Sequence, residues 1–381
     1  MRNWGILGGV LLAATAGGCD SGRAGDGSTA PSITTSPGAD TEDGAEGSGG
    51  SGATTGASGG TGITGGDPGT GGEEPFDPPV VFDFGAFPDV GEFCGAPNPV
   101  TCDGSDDDPW HAIGLNCPSG PQVDGEFYGN AQQMLVHEGN FGTSDEFPPR
   151  EGDKVVILST GVAQEWTSVG TNISTVMDGG GLPDLPAPMT RTPVSAGGQT
   201  CADNPALVGT GDCSNTVETQ YSQGGVANDL TYLSFTTEVP ANTHGFTYDF
   251  AFFSVEYPQW YQTEYNDMYV AWLESEGWTG NISFDEFGSP ISLNAGFLDF
   301  KDAPNIYDCP APCEAPELAG TAAQDHAGTR WLTTSAPVVP GETIQMYFAI
   351  FDLSDSAWDS GVLLDNFLWT CDGGPPVTIP G

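Results

Sequence analysis

Between Trp4 and Phe76 the chain contains no aromatic residue. Of its 20 Phe, 10 Tyr and 9 Trp, every one except Trp4 lies at or beyond residue 76. A hydrophobic core needs large apolar side chains, so a folded body is expected only from Phe76 onward. Residues 20–75 are mostly Gly, Ser, Thr, Ala and Asp. Such a segment cannot bury enough surface to offset its ordering entropy. It reads as a flexible tether with a root-mean-square span of roughly 40 Å. A glycosylated Ser/Thr stalk is the alternative reading.

The first 19 residues, MRNWGILGGVLLAATAGGC, begin with Arg2 and continue through a short apolar stretch, Ile6 to Ala14. Small residues Ala16, Gly17 and Gly18 then precede Cys19. This order reads as a secretory signal of the lipoprotein type, in which Cys19 is acylated and becomes the mature N-terminus. An ordinary cleaved signal with an incidental cysteine is the alternative. Lipid, tether and folded head predict an exported, membrane-anchored protein displayed at the outer membrane or cell surface.

The chain carries 7 Lys+Arg against 52 Asp+Glu, a formal charge of -45. Seven scattered cations cannot assemble a nucleic-acid-binding patch. Direct docking on anionic lipid is disfavoured for the same reason, which leaves the N-terminal lipid as the expected membrane contact. With 57 Gly and 31 Pro, a helical bundle is also disfavoured.

Beyond Cys19 stand Cys94, Cys102, Cys117, Cys201, Cys213, Cys309, Cys313 and Cys371. An even number in an exported chain predicts four disulfides. Spacing leaves the connectivity open, with Cys201–Cys213 and Cys309–Cys313 as candidate local pairs. No CxxC pair is present to favour zinc.

Strand signals dominate after residue 150. Runs at 154–159, 230–239, 246–255, 267–273, 344–353 and 362–369 are rich in β-branched and aromatic residues and bounded by Gly, Pro, Asn or Asp. Gln132 to Val136 reads as one turn of helix. The pattern predicts an all-β fold, an antiparallel β-sandwich or jelly roll over 151–374. Residues 76–150, with three cysteines, read as a loop-rich, disulfide-rich N-terminal extension stapled to it. A small independent disulfide module is the alternative.

Residues 252–267 read FFSVEYPQWYQTEYND; Asn281-Ile282 and Pro290-Ile291-Ser292-Leu293-Asn294 follow. Residues 348–366 read FAIFDLSDSAWDSGVLLDN, and Glu151-Gly152-Asp153 before VVILSTG opens the series. In this order the motifs resemble the bacterial choice-of-anchor L family over roughly residues 150–371. The stretch from His111 to Cys117 resembles a leader found in myxobacteria-like versions. The resemblance implies a surface-exposed β-sandwich held by one of several kinds of anchor. It does not imply a known activity, because the family is not defined by one.

Glu256, Asp267, Asp352, Asp355, Asp359 and Asp365 stand at expected strand ends or in tight loops. If the strands at 246–255 and 344–353 end on one rim, their carboxylates meet with no Lys or Arg in either motif to neutralise them. Ca²⁺, which takes six to eight oxygen ligands, is the cofactor this arrangement predicts. The competing reading is a set of loop-capping carboxylates hydrogen-bonded to backbone N–H groups. The cluster Asp103, Asp106, Asp107 and Asp108 has some character of a calcium loop but lacks its terminal Glu.

Catalytic constellations are poor. His111, His137, His244 and His326 have no partner at motif spacing, and Glu274/Glu276 or Asp285-Glu286 are pairs that chance supplies in so acidic a chain. No enzyme is expected. Tyr257, Trp260, Tyr261, Tyr265 and Trp358 are candidate contacts for an extracellular glycan or surface protein. The sequence thus predicts a lipid-anchored surface module for binding or adhesion, with calcium dependence. A structural coat or appendage component without a ligand is the main alternative, followed by a polysaccharide-active enzyme.

Overall fold

The computed structural model describes residues 94–118, 120–170, 173–177, 180–190, 216–221, 223–285, 289–303 and 313–381. Cys19, Cys201, Cys213, Cys309, Glu286 and the proposed tether lie outside these residues.

In chain order the strands are β1 (Asp124–Tyr128), β2 (Met134–Glu138), β3 (Lys154–Ser159), β4 (Ala227–Glu238), β5 (Gly245–Ser254), β6 (Met268–Glu274) and β7 (Thr279–Asn281). The series continues with β8 (Ile291–Ser292), β9 (Phe300–Lys301), β10 (Ala327–Gly328), β11 (Leu332–Pro337), β12 (Thr343–Leu353), β13 (Ser360–Thr370) and β14 (Val377–Pro380). Two short helices, α1 (Pro109–Ala112) and α2 (Thr216–Tyr221), accompany them. The strands form two antiparallel sheets. One runs β1-β4-β12-β6-β7 with β8 beside β6. The other runs β14-β11-β5-β13-β3-β2, with β10 joining β5 to β9. This is the antiparallel sandwich that the strand pattern predicts.

Strand β5 shows how the sequence builds the layers. Its period of two sends Phe246, Tyr248, Phe250 and Phe252 into the inter-sheet core, against Leu233, Phe348 and Leu364. The alternate residues Ala251 and Phe253 point to the opposite face, where Phe141, Phe147, Trp166 and Trp331 cover them. Burial on both faces explains a nearly unbroken apolar run. Each buried Phe contributes on the order of 1.5–3 kcal/mol. A third cluster covers part of the outer face of the other sheet, where Leu185, Met189, Val217 and Tyr221 pack on Met268, Val270, Trp272 and Phe351.

The segment before β3 does more than the expected loops. β1 pairs with β4 in one sheet and β2 with β3 in the other, so it adds an edge strand to each. The turn of helix expected over Gln132–Val136 is corrected. Only Ala131–Gln133 form a 3-10 turn, closed by a reciprocal cap between Asn130 and Gln133. Met134 then enters β2, because its register against Leu158 delivers it to the core.

Cys94 is bonded to Cys371 and Cys102 to Cys117. Cys313 is also disulfide-bonded. The acidic cluster near Cys102 is held by local partners. Asp103 Oδ2 accepts the N–H groups of Asp153 and Lys154 at 2.7 and 2.8 Å. Asp108 caps α1, Asp106 meets His111, and Asp107 pairs with Lys154.

Candidate functional site

Antiparallel pairing brings six strand ends to one rim. Ser254 at the end of β5 faces Ser360 at the start of β13, while Ser159 at the end of β3 faces Gly361. In the other sheet Leu353 faces Ala227, and Phe351 faces Met268. The sheets are tied across this rim by the Ser360 hydroxyl, which donates to Asp267 Oδ2 at 2.6 Å.

Five of the six predicted metal residues gather here. Glu256 follows β5, Asp267 precedes β6, Asp352 sits at the bulged end of β12, and Asp359 precedes β13. Asp355 lies in the β12–β13 loop and accepts the Ala357 N–H at 3.1 Å. Asp365 does not join them. It lies six residues along β13 from Asp359, about 20 Å at roughly 3.3 Å per residue. There it accepts the N–H groups of Arg150 and Asn366, both at 2.6 Å.

The rim carboxylates are packed away from water. Glu256 is 1% exposed, and Asp267, Asp352 and Asp359 are 0% exposed. Asp267 Oδ1 accepts the Leu353 N–H at 3.2 Å, and Asp359 Oδ1 accepts the Thr175 N–H at 3.0 Å. Both oxygens of Asp352, Glu256 Oε2 and Asp359 Oδ2 find no hydrogen-bond donor. Gly161 lies flat against the Asp359 carboxylate, where a Cβ would overlap it.

Burial pushes the Asp267 carboxyl up to about 8 and Asp359 up to about 7. Burial and the neighbouring carboxylates raise Glu256 and Asp352 well above the ordinary range, and burial raises Asp355. Among the described residues, no three His, Cys, Asp or Glu side chains already surround one point at metal-ligand distance.

The aromatics singled out in the sequence divide. Tyr257 is fully buried, and its carbonyl accepts the His326 ring N–H at 2.6 Å. Tyr261 packs against the main core and Trp358 against the cluster outside β5. Trp260 is 37% exposed, edge-on to Tyr265 at 5.0 Å.

A second aromatic group escaped sequence reading. On the outer face of the β1-β4-β12-β6 sheet, Tyr128 stacks on Tyr232 at 4.8 Å and 9°. Tyr347 follows edge-on to Tyr232 at 5.6 Å. Register sets Glu126, Ser234, Tyr347 and Trp272 in one row and Thr236, Gln345 and Glu274 in the next. The second row opens into a shallow cavity of about 380 Å³ shared with Glu276 and Glu342. Glu274 Oε1 accepts the Trp272 indole N–H at 2.7 Å. The basic side chains of the described residues lie elsewhere. Arg150 pairs with Asp249, Lys154 with Asp107 and Arg330 with Asp299, while Lys301 sits over Tyr261.

The fold is that of a β-rich module, and the family to which it belongs is one of surface-exposed or exported proteins. The chain belongs to the choice-of-anchor L domain family, whose model matches residues 120–367. That span starts ahead of the motifs in the sequence and takes in β1 and β2. No curated protein and no solved structure matches the chain. No helix among the described residues is long and apolar enough to cross a membrane.

Proposed function

We propose that this protein is a lipid-tethered module for binding or adhesion at the cell surface, anchored through Cys19, and that its ligand is a neutral glycan. The observation that carries this reading is the tyrosine row on the open part of the outer sheet face. Tyr128 is 47% exposed and lies flat on Tyr232, so its free face is available to the apolar side of a sugar ring. Carboxylate, amide and hydroxyl groups from Glu126, Ser234, Thr236, Gln345 and Glu274 flank the rings and suit sugar hydroxyls. The described part of this face carries carboxylates and no Lys or Arg, which disfavours an anionic polysaccharide.

The test uses the full chain on an array of neutral and anionic polysaccharides. Neutral glycans should be retained, and Tyr128→Ala or Tyr232→Ala should weaken retention at least tenfold with the fold unchanged by circular dichroism. Retention of anionic polymers alone, or no effect of Tyr128→Ala, would overturn the assignment.

A further inference from the structure

We infer that Glu256, Asp267 and Asp352 hold a divalent cation of the Ca²⁺ class between the two sheets, with Asp355 beside it in the β12–β13 loop. The site is separate from the tyrosine face and does not depend on the glycan reading.

The argument begins with an inventory of donors and acceptors. Three carboxylates from three separate chain segments are neighbours at the rim, each at most 1% exposed. An ionised carboxylate offers about four acceptor positions and no donor. Asp267 is served by the Leu353 N–H and the Ser360 hydroxyl. Neither oxygen of Asp352 has a donor at ordinary hydrogen-bond geometry, with only the Thr160 hydroxyl and the Asp267 carboxyl beside it, and Glu256 Oε2 is bare. A buried carboxylate without a partner is strongly disfavoured. A cluster of surface acids would show the opposite, with its oxygens turned to solvent.

Two agents can relieve the site. Protons on Glu256 and between Asp267 and Asp352 remove the charge but still leave the second Asp352 oxygen short of a donor. A cation takes oxygens from all three groups at once. Described basic side chains do not supply it, because each is placed against another partner. An all-oxygen set from strand ends fits Ca²⁺, which accepts irregular coordination at about 2.3–2.6 Å. Mg²⁺ demands a tighter octahedron and retains its waters. Since the three groups do not yet surround one point, binding would draw in the β5–β6 and β12–β13 loops. Ion binding and loop ordering are then one event.

The experiment is calorimetric titration of the full, chelator-treated chain with CaCl₂ at pH 7.5, paralleled by MgCl₂ and by thermal unfolding in each salt. The expected result is one saturable Ca²⁺ site and a melting temperature higher by at least about 3 °C in 1 mM CaCl₂ than in matched NaCl. Mg²⁺ should be at least tenfold weaker. Asp352→Asn should abolish the Ca²⁺ response while leaving the metal-free protein folded by circular dichroism. Asp365→Asn, away from the rim, should keep a saturable response even if it weakens the fold. Absence of heat and of any thermal shift in the wild type, or a full Ca²⁺ response in Asp352→Asn, would overturn the inference in favour of proton sharing.

Discussion

Ser360 at the first position of β13 donates its hydroxyl to Asp267 just ahead of β6, a strand of the other sheet. Both are fully buried. The bond therefore joins the two layers at the rim where the carboxylates gather. Ser360→Ala leaves a buried carboxylate oxygen short of its donor. It should lower unfolding free energy by about 1.5–3 kcal/mol, read from urea denaturation. A loss below about 0.5 kcal/mol would show that the layers are held without it.

Without metal, the protein should lose stability as pH rises. Burial holds Asp267 up to about 8 and Asp359 up to about 7, with Glu256 and Asp352 raised in the same direction. In the unfolded chain such groups release their protons near about pH 4. Between about pH 4 and 8 the folded state holds more protons, so its stability falls with increasing pH. The contribution is whole below that window and gone above it. Urea midpoints in chelator at pH 5 and pH 8 measure the slope, and Asp352→Asn should make it shallower. A midpoint that climbs from pH 5 to pH 8 contradicts the prediction.

The exposed ring and the buried ring should differ severalfold in their effect on stability. Tyr128→Ala removes a side chain 47% exposed and should change stability by less than about 1 kcal/mol. Phe250→Ala empties a fully buried position in the inter-sheet core and should cost about 3–5 kcal/mol. Chemical denaturation of both variants checks the contrast.

Cys371→Ser should destabilise the head by about 2–5 kcal/mol, since the bond to Cys94 closes a loop spanning 277 positions. Mass spectrometry should first establish that Cys94 remains unpaired in the variant. Urea denaturation of the variant and the wild type, both without reductant, then measures the difference.

Strands buried on both faces were legible in the sequence. The 154–159 run matches β3 at both ends, and the 344–353 run differs from β12 by one residue. Their apolar content is dictated by the core and leaves little choice of conformation. β1 was not legible, because Asp124-Gly-Glu-Phe-Tyr exposes most of its side chains and is held by backbone pairing to β4. The rim carboxylates were legible as residues of one chemical type near turns. Which of them meet was not, since Asp365 shares the motif of Asp352 and Asp355 yet travels away along an extended strand. The tyrosine row was hidden for a related reason: Tyr128, Tyr232 and Tyr347 are neighbours only through the register of three strands distant in sequence.

The Cys94–Cys371 bond also sets the route of mechanical load. If, as proposed, the segment before Cys94 tethers the protein and the tyrosine face engages a ligand, load enters at Cys94. The covalent link carries the pull from Cys94 to the residue after β13, a strand flanked by β5 and β3. Residues 95–123 are thereby bypassed and cannot be peeled away first. Tension enters along a strand bonded on both sides, so many hydrogen bonds share the shear. Reduction of that one bond would move the load to the N-terminal segment and turn a joint that resists shear into one that unzips.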